Sequence, residues 1–277
     1  MAVFHRQRPG WEFPVAVRAE GVHVWDRSGR RLLDAAGGAL VVTVGHGVPE
    51  VATAIAEQAH RLAYVHGTEL TSEPLEALAT ELARRAPVDD ARLYLVSGGS
   101  EATETAIKLA RQYHVARGEP RRFKVVSRWP SYHGCTLGAL AVSGRPTLRH
   151  DFEPLLLPMP HVPAPYAYRC ARPGCGRTCV LDCARALGET LEREGPETVA
   201  AFIAEPVIGA SAGAVVPPPD YYRIVRETCD RHGVLFIADE VMTGLGRTGR
   251  WFGMDHWGVR PDILTAGKGV TSGYVPG

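Results

Sequence analysis

Short apolar runs alternate along this chain with longer segments in which apolar residues recur every three or four positions. The spacing in the longer segments predicts helices, most clearly over residues 101–117 and 221–232. The short runs are rich in β-branched and other apolar side chains, which is typical of strands buried on both faces of a parallel sheet. Alternating strands and helices predict an α/β fold with a mostly parallel sheet flanked by helices. The predicted strands lie at residues 92–96, 123–127, 199–205, 234–238 and 262–265.

The amino-terminal part of the chain has a different pattern. Residues 22–25 and 31–33 predict two strands on either side of the turn Asp26-Arg27-Ser28-Gly29, which is typical of a β-hairpin. Helical spacing follows over residues 50–64, and Ser72 precedes a second predicted helix that continues to residue 85. By contrast, residues 146–185 are rich in proline and predict a looser region.

Composition and charge argue against several classes of protein. The 277 residues carry a formal net charge of +1 without a basic block, so nothing favours nucleic-acid binding. Residues 1–13 lack the apolar core of a signal peptide, and no apolar run is long enough to span a bilayer. Six cysteines in a chain of this length do not indicate a secreted disulfide scaffold. These features predict a cytoplasmic enzyme with neither a nucleic-acid nor a membrane partner.

Two kinds of polar side chain stand at the ends of predicted strands. Asp239 and Glu240 end the fourth run, and Lys268 follows the fifth in a glycine-flanked turn. Because ligands bind outside the carboxyl ends of strands in open α/β sheets, the acid and the lysine are expected to face one crevice. They could form a simple ion pair. They also suit pyridoxal phosphate, which needs a lysine amine for its Schiff base and a carboxylate to keep its ring nitrogen protonated.

A glycine-rich turn precedes the long helix predicted from residue 101. The turn Ser97-Gly98-Gly99-Ser100 leads from a predicted strand into the helix, where unpaired backbone N–H groups and the positive end of the helix dipole meet. This arrangement predicts an anion site. An ordinary helix start with Ser100 as its N-cap is the alternative, and the two are compatible because capping leaves other N–H groups free.

Three segments closely resemble the class III aminotransferases, which are fold-type I enzymes that use pyridoxal phosphate. The segments are DEVMTGLGRTG at 239–249, PDILTAGKG at 261–269 and SGGSEATETAIKLAR at 97–111. The resemblance extends from about Gly21 to the last residue. It implies a transaminase that moves an amino group from an amine, ω-amino acid or amino acid to a 2-oxo acid, and a homodimer with its sites at the interface. A lyase or mutase of the same family, or a catalytically incompetent fragment, is the alternative.

The resemblance also assigns roles to individual residues. Lys268 would form the Schiff base and then act as the base that moves a proton, and Asp239 would hold the proton of the ring nitrogen. Glu205 would lie near the substrate, although it could also be a solvated acid at a strand end. Tyr132 would cover one face of the ring, although an aromatic residue here could simply pack. The remaining cofactor-binding positions are Ser97, Gly98, Gly99 and Ser100 at the phosphate, Val241 on the other ring face, and His133 as a neighbour.

Two other motifs suggest different functions. Residues 244–249 satisfy G-x-G-x-x-G, but a strand does not run directly into the first glycine, so a nicotinamide oxidoreductase is a poor alternative. Four cysteines match a zinc site only in part, and reduced thiols in an insertion are the preferred interpretation, so no metal ligand is predicted. A metal-stapled, non-catalytic scaffold is the alternative from another class. The cysteines are Cys170, Cys175, Cys179 and Cys183.

The resemblance predicts a domain organisation and shows two departures from the family pattern. Residues 1–50 are expected to be the amino-terminal part of a small α+β domain, and residues 51–277 an incomplete large domain that binds the cofactor. The first departure is that a carboxy-terminal small domain is expected to be absent, which would make the chain a fragment. The second is Met242, which stands where many members carry a glutamine.

Overall fold

The computed structural model describes residues 12–170 and 181–275. The chain divides into two compact units, Met1–Tyr64 and Val65–Gly277. The division into part of a small domain at residues 1–50 and an incomplete large domain at residues 51–277 stays a prediction.

The first unit is built on an antiparallel three-stranded sheet. Strands β1 (Ala16–Glu20), β2 (His23–Asp26) and β3 (Arg31–Leu33) lie in that order, which confirms the predicted hairpin and adds β1 to it. Asp26 stabilises the hairpin turn because its carboxylate accepts hydrogen bonds from the backbone N–H groups of Ser28 and Arg30 at 3.0 Å. A short segment α1 (Gly37–Leu40), in which Gly38 and Ala39 have left-handed backbone angles, and the helix α2 (Pro49–Arg61) follow.

The second unit contains a parallel five-stranded sheet. Its strands are β4 (Lys124–Trp129), β5 (His161–Pro163), β6 (Val199–Ala204), β7 (Leu235–Asp239) and β8 (Ile263–Thr265). They lie in the order β5-β4-β6-β7-β8, and every neighbouring pair is parallel. Four of the strands were predicted from their apolar runs, and β5 was not. The carboxyl ends of all five strands therefore meet at one edge of the sheet.

Helices cover both faces of this sheet. Alternate residues along a strand point to opposite faces, so Phe202 and Phe236 pack in one buried cluster, while Ile203 and Ile237 pack in the other. The described helices of this unit are α3 (Glu73–Arg85), α4 (Gly99–Ala116), α5 (Leu137–Ala141), α6 (Pro146–Arg149), α7 (Asp182–Glu194) and α8 (Tyr221–His232). The first cluster includes residues of α7 and α8, and the second includes residues of α4.

The predicted strand at residues 92–96 is not a strand in the structure. Tyr94 is 78 % exposed and Leu95 is 50 % exposed, so this run is not buried either. Within the described residues, no strand of the sheet lies beside it to pair with its backbone groups. An apolar run forms a strand only where a neighbouring strand completes its backbone hydrogen bonds. The strand propensity of residues 92–96 is therefore not sufficient by itself.

The described parts of the region at residues 146–185 contain more regular structure than the prediction of a loose segment. It contains α6 and β5, and α7 begins at Asp182. The signal for α7 was present in the sequence, because Ala184, Leu187 and Leu191 recur at helical spacing and are all buried. Cys175 and Cys179 lie outside the described residues.

Gly144 is expected to be sensitive to substitution. A Cβ atom at this position would overlap the carbonyl oxygen of Arg128 and lie 3.1 Å from the Cα atom of Trp129. Because both atoms belong to the backbone of β4, Gly144→Ala should lower the free energy of unfolding by about 1–3 kcal/mol, as overpacking of a core does. Urea unfolding measures this. The matched control is Gly67→Ala, whose Cβ would meet nothing within 4 Å, and equal midpoints for the two variants would contradict the prediction.

Candidate active site

The structure brings Asp239 and Lys268 to the same edge of the sheet. Asp239 ends β7 and pairs in register with Thr265, the last residue of β8. Lys268 lies three residues beyond Thr265 and begins a short 3-10 turn, Lys268–Val270. Asp239 is only 3 % exposed, and Lys268 is half-buried. The sequence placed both residues at strand ends, and the pairing of β7 with β8 makes those ends neighbours.

The surroundings of Lys268 disfavour its charged form. Burial is the largest influence and lowers the pKa of its amine, while the nearby carboxylates of Asp239 and Glu205 raise it, and the net result lies below the ordinary value of 10.5. A neutral amine is the nucleophilic form of a lysine, so this environment favours attack on a carbonyl group.

The lowered pKa of Lys268 predicts how the stability of the chain depends on pH. Between that pKa and 10.5, the unfolded chain holds more protons on this residue than the folded chain, so stability rises with pH. Below that range, the folded chain bears the full cost of a buried charge. Lys268→Met, studied without added cofactor, should therefore be more stable than wild type at neutral pH, with the difference shrinking toward pH 10.5. Urea midpoints measured across this range test the expectation, with the exposed Lys108→Met as control.

Three donors fix the carboxylate of Asp239. The Nδ1 atom of His133 lies 2.7 Å from Oδ2, the backbone N–H of Val241 donates to Oδ1 at 3.1 Å, and the Thr265 hydroxyl donates to Oδ1 at 3.3 Å. A carboxylate offers about four acceptor positions, so capacity remains for one more donor. Asp239 is therefore a pre-oriented acceptor.

The second acid of the pair, Glu240, is engaged elsewhere. Its carboxylate accepts hydrogen bonds from the backbone N–H groups of Gly253 and Met254, both at 2.8 Å, and from the Thr243 hydroxyl. Burial is the main cause that raises the pKa of Glu240. Glu240 therefore stabilises the segment that follows β7, and Asp239 is the acid available to a ligand.

The turn at residues 97–100 leads directly into α4, which is the arrangement that an anion site needs. The N-cap of α4 is Gly98, no side chain caps the helix, and the helix then runs for 18 residues. Its first N–H groups have no partner within the helix, and the positive end of the helix dipole adds to their field. The backbone N–H of Ser97 is already taken, since it donates to Glu101 Oε2 at 2.7 Å.

The alternative of Ser100 as N-cap is wrong. Ser100 lies inside the first turn of α4, and its hydroxyl oxygen accepts the backbone N–H of Cys135 at 3.0 Å. The hydroxyl proton can still be donated to an anion at the turn. Gly134 makes this contact between two segments possible, because its φ is +141° and a Cβ there would lie 2.7 Å from the Ser100 Oγ atom.

Gly99 joins the turn to the end of β7. A Cβ at Gly99 would lie 2.7 Å from the Cγ1 atom of Val241, so the backbone of the turn and the Val241 side chain are in direct contact. The predicted phosphate turn and a predicted ring-covering residue thus lie side by side. This contact needs a glycine at position 99 and leaves position 98 unrestricted, since a Cβ at Gly98 would meet nothing within 4 Å.

Gly99→Ala is therefore expected to weaken binding of pyridoxal phosphate to the chain. The added methyl group must displace Val241 or the turn, and a shift of a few tenths of an ångström misplaces donors for a phosphate. We expect a loss of about tenfold in affinity, equivalent to about 1.4 kcal/mol. Fluorescence titration with the cofactor measures it. Gly98→Ala is the matched control and should cost clearly less, so equal losses for the two variants would contradict the prediction.

Glu205 lies at the same edge, in the segment after β6, and it is not a solvated acid. It is 4 % exposed, its Oε1 atom accepts the backbone N–H of Tyr132 at 3.0 Å, and its Oε2 atom lies 3.1 Å from the Nη2 atom of Arg128. His133 contacts Asp239 and approaches Glu205 to 3.8 Å. The Tyr132 side chain is 37 % exposed, as a residue that borders an open site can be.

Arg128 and Tyr222 belong to the surroundings of the site, and no sequence motif indicated either residue. Arg128 is fully buried in β4, and its guanidinium donates to the Tyr222 hydroxyl at 3.2 Å. A signal was present, since Arg128 directly follows the apolar run 123–127, and an arginine beside a strand predicted to be buried needs an acidic partner. That the partner is Glu205, 77 residues later, could not be read from the sequence.

The structure also bears on the alternative motifs. Residues 244–249 form turns, and only short 3-10 helices follow them in the described part of the chain, not the α-helix that a dinucleotide site would need. Of the four clustered cysteines, Cys170 and Cys183 are described, and Cys183 is buried in α7. Across residues 12–170 and 181–275, no group of three or more His, Cys, Asp or Glu side chains is arranged to hold a metal ion. None of the described helices is long and apolar enough to cross a membrane.

Comparisons with known proteins agree on one family. A family model described as "Aminotransferase class-III" matches residues 7–277. The chain is 43 % identical over 264 residues to an uncharacterized aminotransferase, YodT, of Bacillus subtilis, and covers 59 % of that protein. It is 36 % identical over 268 residues to a putrescine–pyruvate aminotransferase of Pseudomonas aeruginosa, and covers 58 % of it. The chain thus spans about three fifths of the length of these curated relatives.

Solved structures give the same result. An amine transaminase from an uncultivated Pseudomonas species, in a form with bound pyridoxal phosphate, matches with a TM-score of 0.92 and 39 % identity. The match covers 100 % of this chain and 64 % of the other. An (S)-enantioselective ω-transaminase from Thermomicrobium roseum matches with a TM-score of 0.90 and 43 % identity, covering 98 % of this chain and 62 % of the other.

Proposed function

This chain belongs to the class III aminotransferases, and from that premise we propose that the complete protein is a transaminase that moves an amino group from an amine or amino acid to a 2-oxo acid. The family uses pyridoxal phosphate and has the fold of type I enzymes, and the parallel sheet with flanking helices agrees with both. The observation that carries the proposal is the pair of Lys268 and Asp239 at neighbouring strand ends, beside the turn that opens α4.

The residues at this edge fit the chemical groups of the cofactor. Lys268 has a lowered pKa and suits an aldehyde, Asp239 has a free acceptor position for a protonated ring nitrogen, and the N-terminus of α4 suits a phosphate. When bound, the cofactor supplies an electron sink that makes a proton on the substrate carbon removable.

Each residue then has a defined task in the proposed reaction. Lys268 would hold the cofactor, and its amine, when free, would take up and return a proton at the substrate carbon. Asp239 keeps the ring nitrogen protonated and is itself held by His133. Tyr132 and Val241 would border the ring, and the backbone of Gly98, Gly99 and Ser100 with the Ser100 hydroxyl would hold the phosphate. Ser97 would contribute through the shape of the turn, since its own N–H is engaged by Glu101, and Glu205 would lie near the substrate.

Finer features of the function are proposals of the same kind. Relatives of this chain are named for putrescine with pyruvate and for diaminobutyrate with 2-oxoglutarate, which supports a small amine or amino acid as donor and a 2-oxo acid as acceptor. A homodimer and a cytoplasmic location complete the proposal. The thiols of Cys135 and Cys229 are free, as in a reducing compartment. A lyase or mutase of the same family is the second candidate for the reaction.

Covalent labelling tests the proposal directly. The chain of residues 1–277 is incubated with pyridoxal phosphate, reduced with borohydride and digested, and the labelled peptide is identified by mass spectrometry. The 277-residue chain contains three lysines, Lys108, Lys124 and Lys268, so the labelled lysine can be assigned without ambiguity. We expect the label at Lys268. Label at the other two lysines alone would overturn the proposed site, and amino transfer to pyruvate or 2-oxoglutarate by the complete protein separates a transaminase from a lyase or mutase.

A further inference from the structure

Arg128 is a fully buried cation in a central strand of the sheet, and it is bonded to a residue of the proposed site. Its Nη2 atom donates to the Glu205 carboxylate at 3.1 Å and to the Glu205 backbone oxygen at 2.5 Å. The Tyr222 hydroxyl accepts from Nη1 at 3.2 Å and donates to the same backbone oxygen at 2.6 Å. Arginine, hydroxyl and backbone together fix both the position and the side chain of Glu205.

Glu205 in turn connects Arg128 to the reacting groups. The Glu205 Oε1 atom accepts the backbone N–H of Tyr132, and the Oε2 atom, which Arg128 also contacts, lies 3.8 Å from the Nε2 atom of His133. The other ring nitrogen of His133, Nδ1, contacts Asp239. Within the described residues, that Nε2 atom has no hydrogen-bond partner. A row of alternating basic and acidic side chains therefore runs from Arg128 through Glu205 and His133 to Asp239. All four are nearly or fully buried.

The charges in this row act on Lys268. Asp239 at the end of β7 pairs in register with Thr265, three residues before Lys268, and Glu205 directly follows the neighbouring strand β6. Both carboxylates favour the protonated form of the Lys268 amine. The groups that face Glu205 are Arg128 from β4, Tyr222 from α8 and His133 from the loop after β4. Arg128 is permanently charged, so at this depth its field opposes that of the carboxylate to which it is bonded.

We propose that Arg128 is a positioning residue for Lys268, which holds the Glu205 carboxylate in place and offsets its negative charge so that the amine is more often neutral. This inference rests on the proposed function. In cofactor capture, the neutral Lys268 nitrogen bonds to the aldehyde carbon, and the aldehyde oxygen leaves as water with the two amine protons. A protonated amine has no lone pair for this step, so the charge balance around Lys268 sets the pH at which capture becomes fast.

The pH dependence of cofactor capture tests the role of Arg128. The rate at which the chain of residues 1–277 captures pyridoxal phosphate is followed by absorbance between pH 6 and 10 for wild type, Glu205→Gln and the double variant Arg128→Met/Glu205→Gln. Removing the Glu205 charge should move the midpoint of the profile down by about 0.5–1 pH. Removing Arg128 as well should move it back up by a similar amount, which is about a three- to tenfold change in rate at neutral pH.

The double variant contains no unpaired buried carboxylate, so it avoids the folding defect that Arg128→Met alone risks. Profiles that coincide for Glu205→Gln and the double variant would overturn the proposal, because Arg128 would then support only the fold. Arg128→Lys should keep the wild-type midpoint, since it keeps the charge, and a midpoint shifted upward as in a charge deletion would also count against the proposal.

A second arginine provides the matched control. Arg226 is bonded to Asp262, which lies at the opposite end of the strands and accepts the backbone N–H of Phe236. Arg226→Met should lower the melting temperature and leave the midpoint of the pH profile of cofactor capture unchanged. A shifted midpoint in this variant would count against the proposal, because the midpoint would then report the stability of the fold. If wild type captures no cofactor at Lys268, the proposed function itself fails. Capture without the expected shifts overturns only the role of Arg128.

Discussion

Lys268→Arg should reduce turnover of the complete protein by at least about 10²–10⁴-fold, the range that a positioned general base contributes. Arginine keeps the positive charge, but its guanidinium stays protonated at any pH used for assay and cannot attack an aldehyde or accept the substrate proton. The same substitution in the chain of residues 1–277 should abolish borohydride-trapped label at position 268. Steady-state kinetics with an amine donor and peptide mapping measure the two effects.

The other two lysines provide the controls for this substitution. Lys108 is exposed on α4, and Lys124 lies at the amino end of β4, where it is paired with Glu194 at 2.9 Å. Lys108→Arg and Lys124→Arg should leave both turnover and the label at Lys268 unchanged. Near-normal turnover by Lys268→Arg would refute the assignment of Lys268, whatever the label shows.

Asp239→Asn should keep cofactor capture at Lys268 and lose about 10²–10³-fold in turnover, the cost of removing one preorganised electrostatic partner. Asparagine has nearly the same shape as aspartate and still accepts from the Val241 N–H, but it carries no charge to keep a ring nitrogen protonated. It also loses one acceptor, so the hydrogen bond with His133 Nδ1 is weakened. Label at Lys268 together with poor turnover is therefore the expected pair of results.

The control for Asp239→Asn is Asp262, which directly precedes β8 and therefore lies at the opposite edge of the sheet. Asp262 accepts the backbone N–H of Phe236 at 2.6 Å and pairs with Arg226, so Asp262→Asn removes a similar charge and bond far from the reacting groups. We expect it to lower the melting temperature and to leave turnover per folded molecule unchanged. If Asp239→Asn retains most of its turnover, Asp239 is a structural residue like Asp262.

Much of the fold could be predicted because its signals are local. The strands at 199–204 and 235–239 and the helix at 221–232 follow from apolar runs and helical spacing, and the structure has them at nearly the predicted bounds. The same patterns, with the rule that the carboxyl ends of parallel strands share an edge, predict that Asp239 and Lys268 face one crevice. The motifs then indicated the family and its cofactor, which the comparisons confirmed.

Local signals failed where a neighbour from a distant part of the chain decides the outcome. Residues 92–96 have the composition of a buried strand, but no described strand completes their hydrogen bonds. Ser100 has the side chain of an N-cap, but its oxygen is used by Cys135, which reaches it across the chain through the positive φ of Gly134. For Ser100, a backbone N–H group 35 positions away overrides the local propensity. For residues 92–96, the local propensity is not enough, because the described residues offer no neighbouring strand to pair with their backbone groups.

Strand bounds and residue types are both local properties, so the amino-acid sequence is enough to predict which residues stand at the ends of the strands. The use of those residues depends on contacts between elements that are distant along the chain. The tertiary structure committed Glu240 to the segment after β7 and left Asp239 available, and it paired Glu205 with Arg128. The physical reason is that a buried charge must find its partner among whatever groups the packing brings near, and those partners lie on other elements, up to 106 positions away for His133 and Asp239.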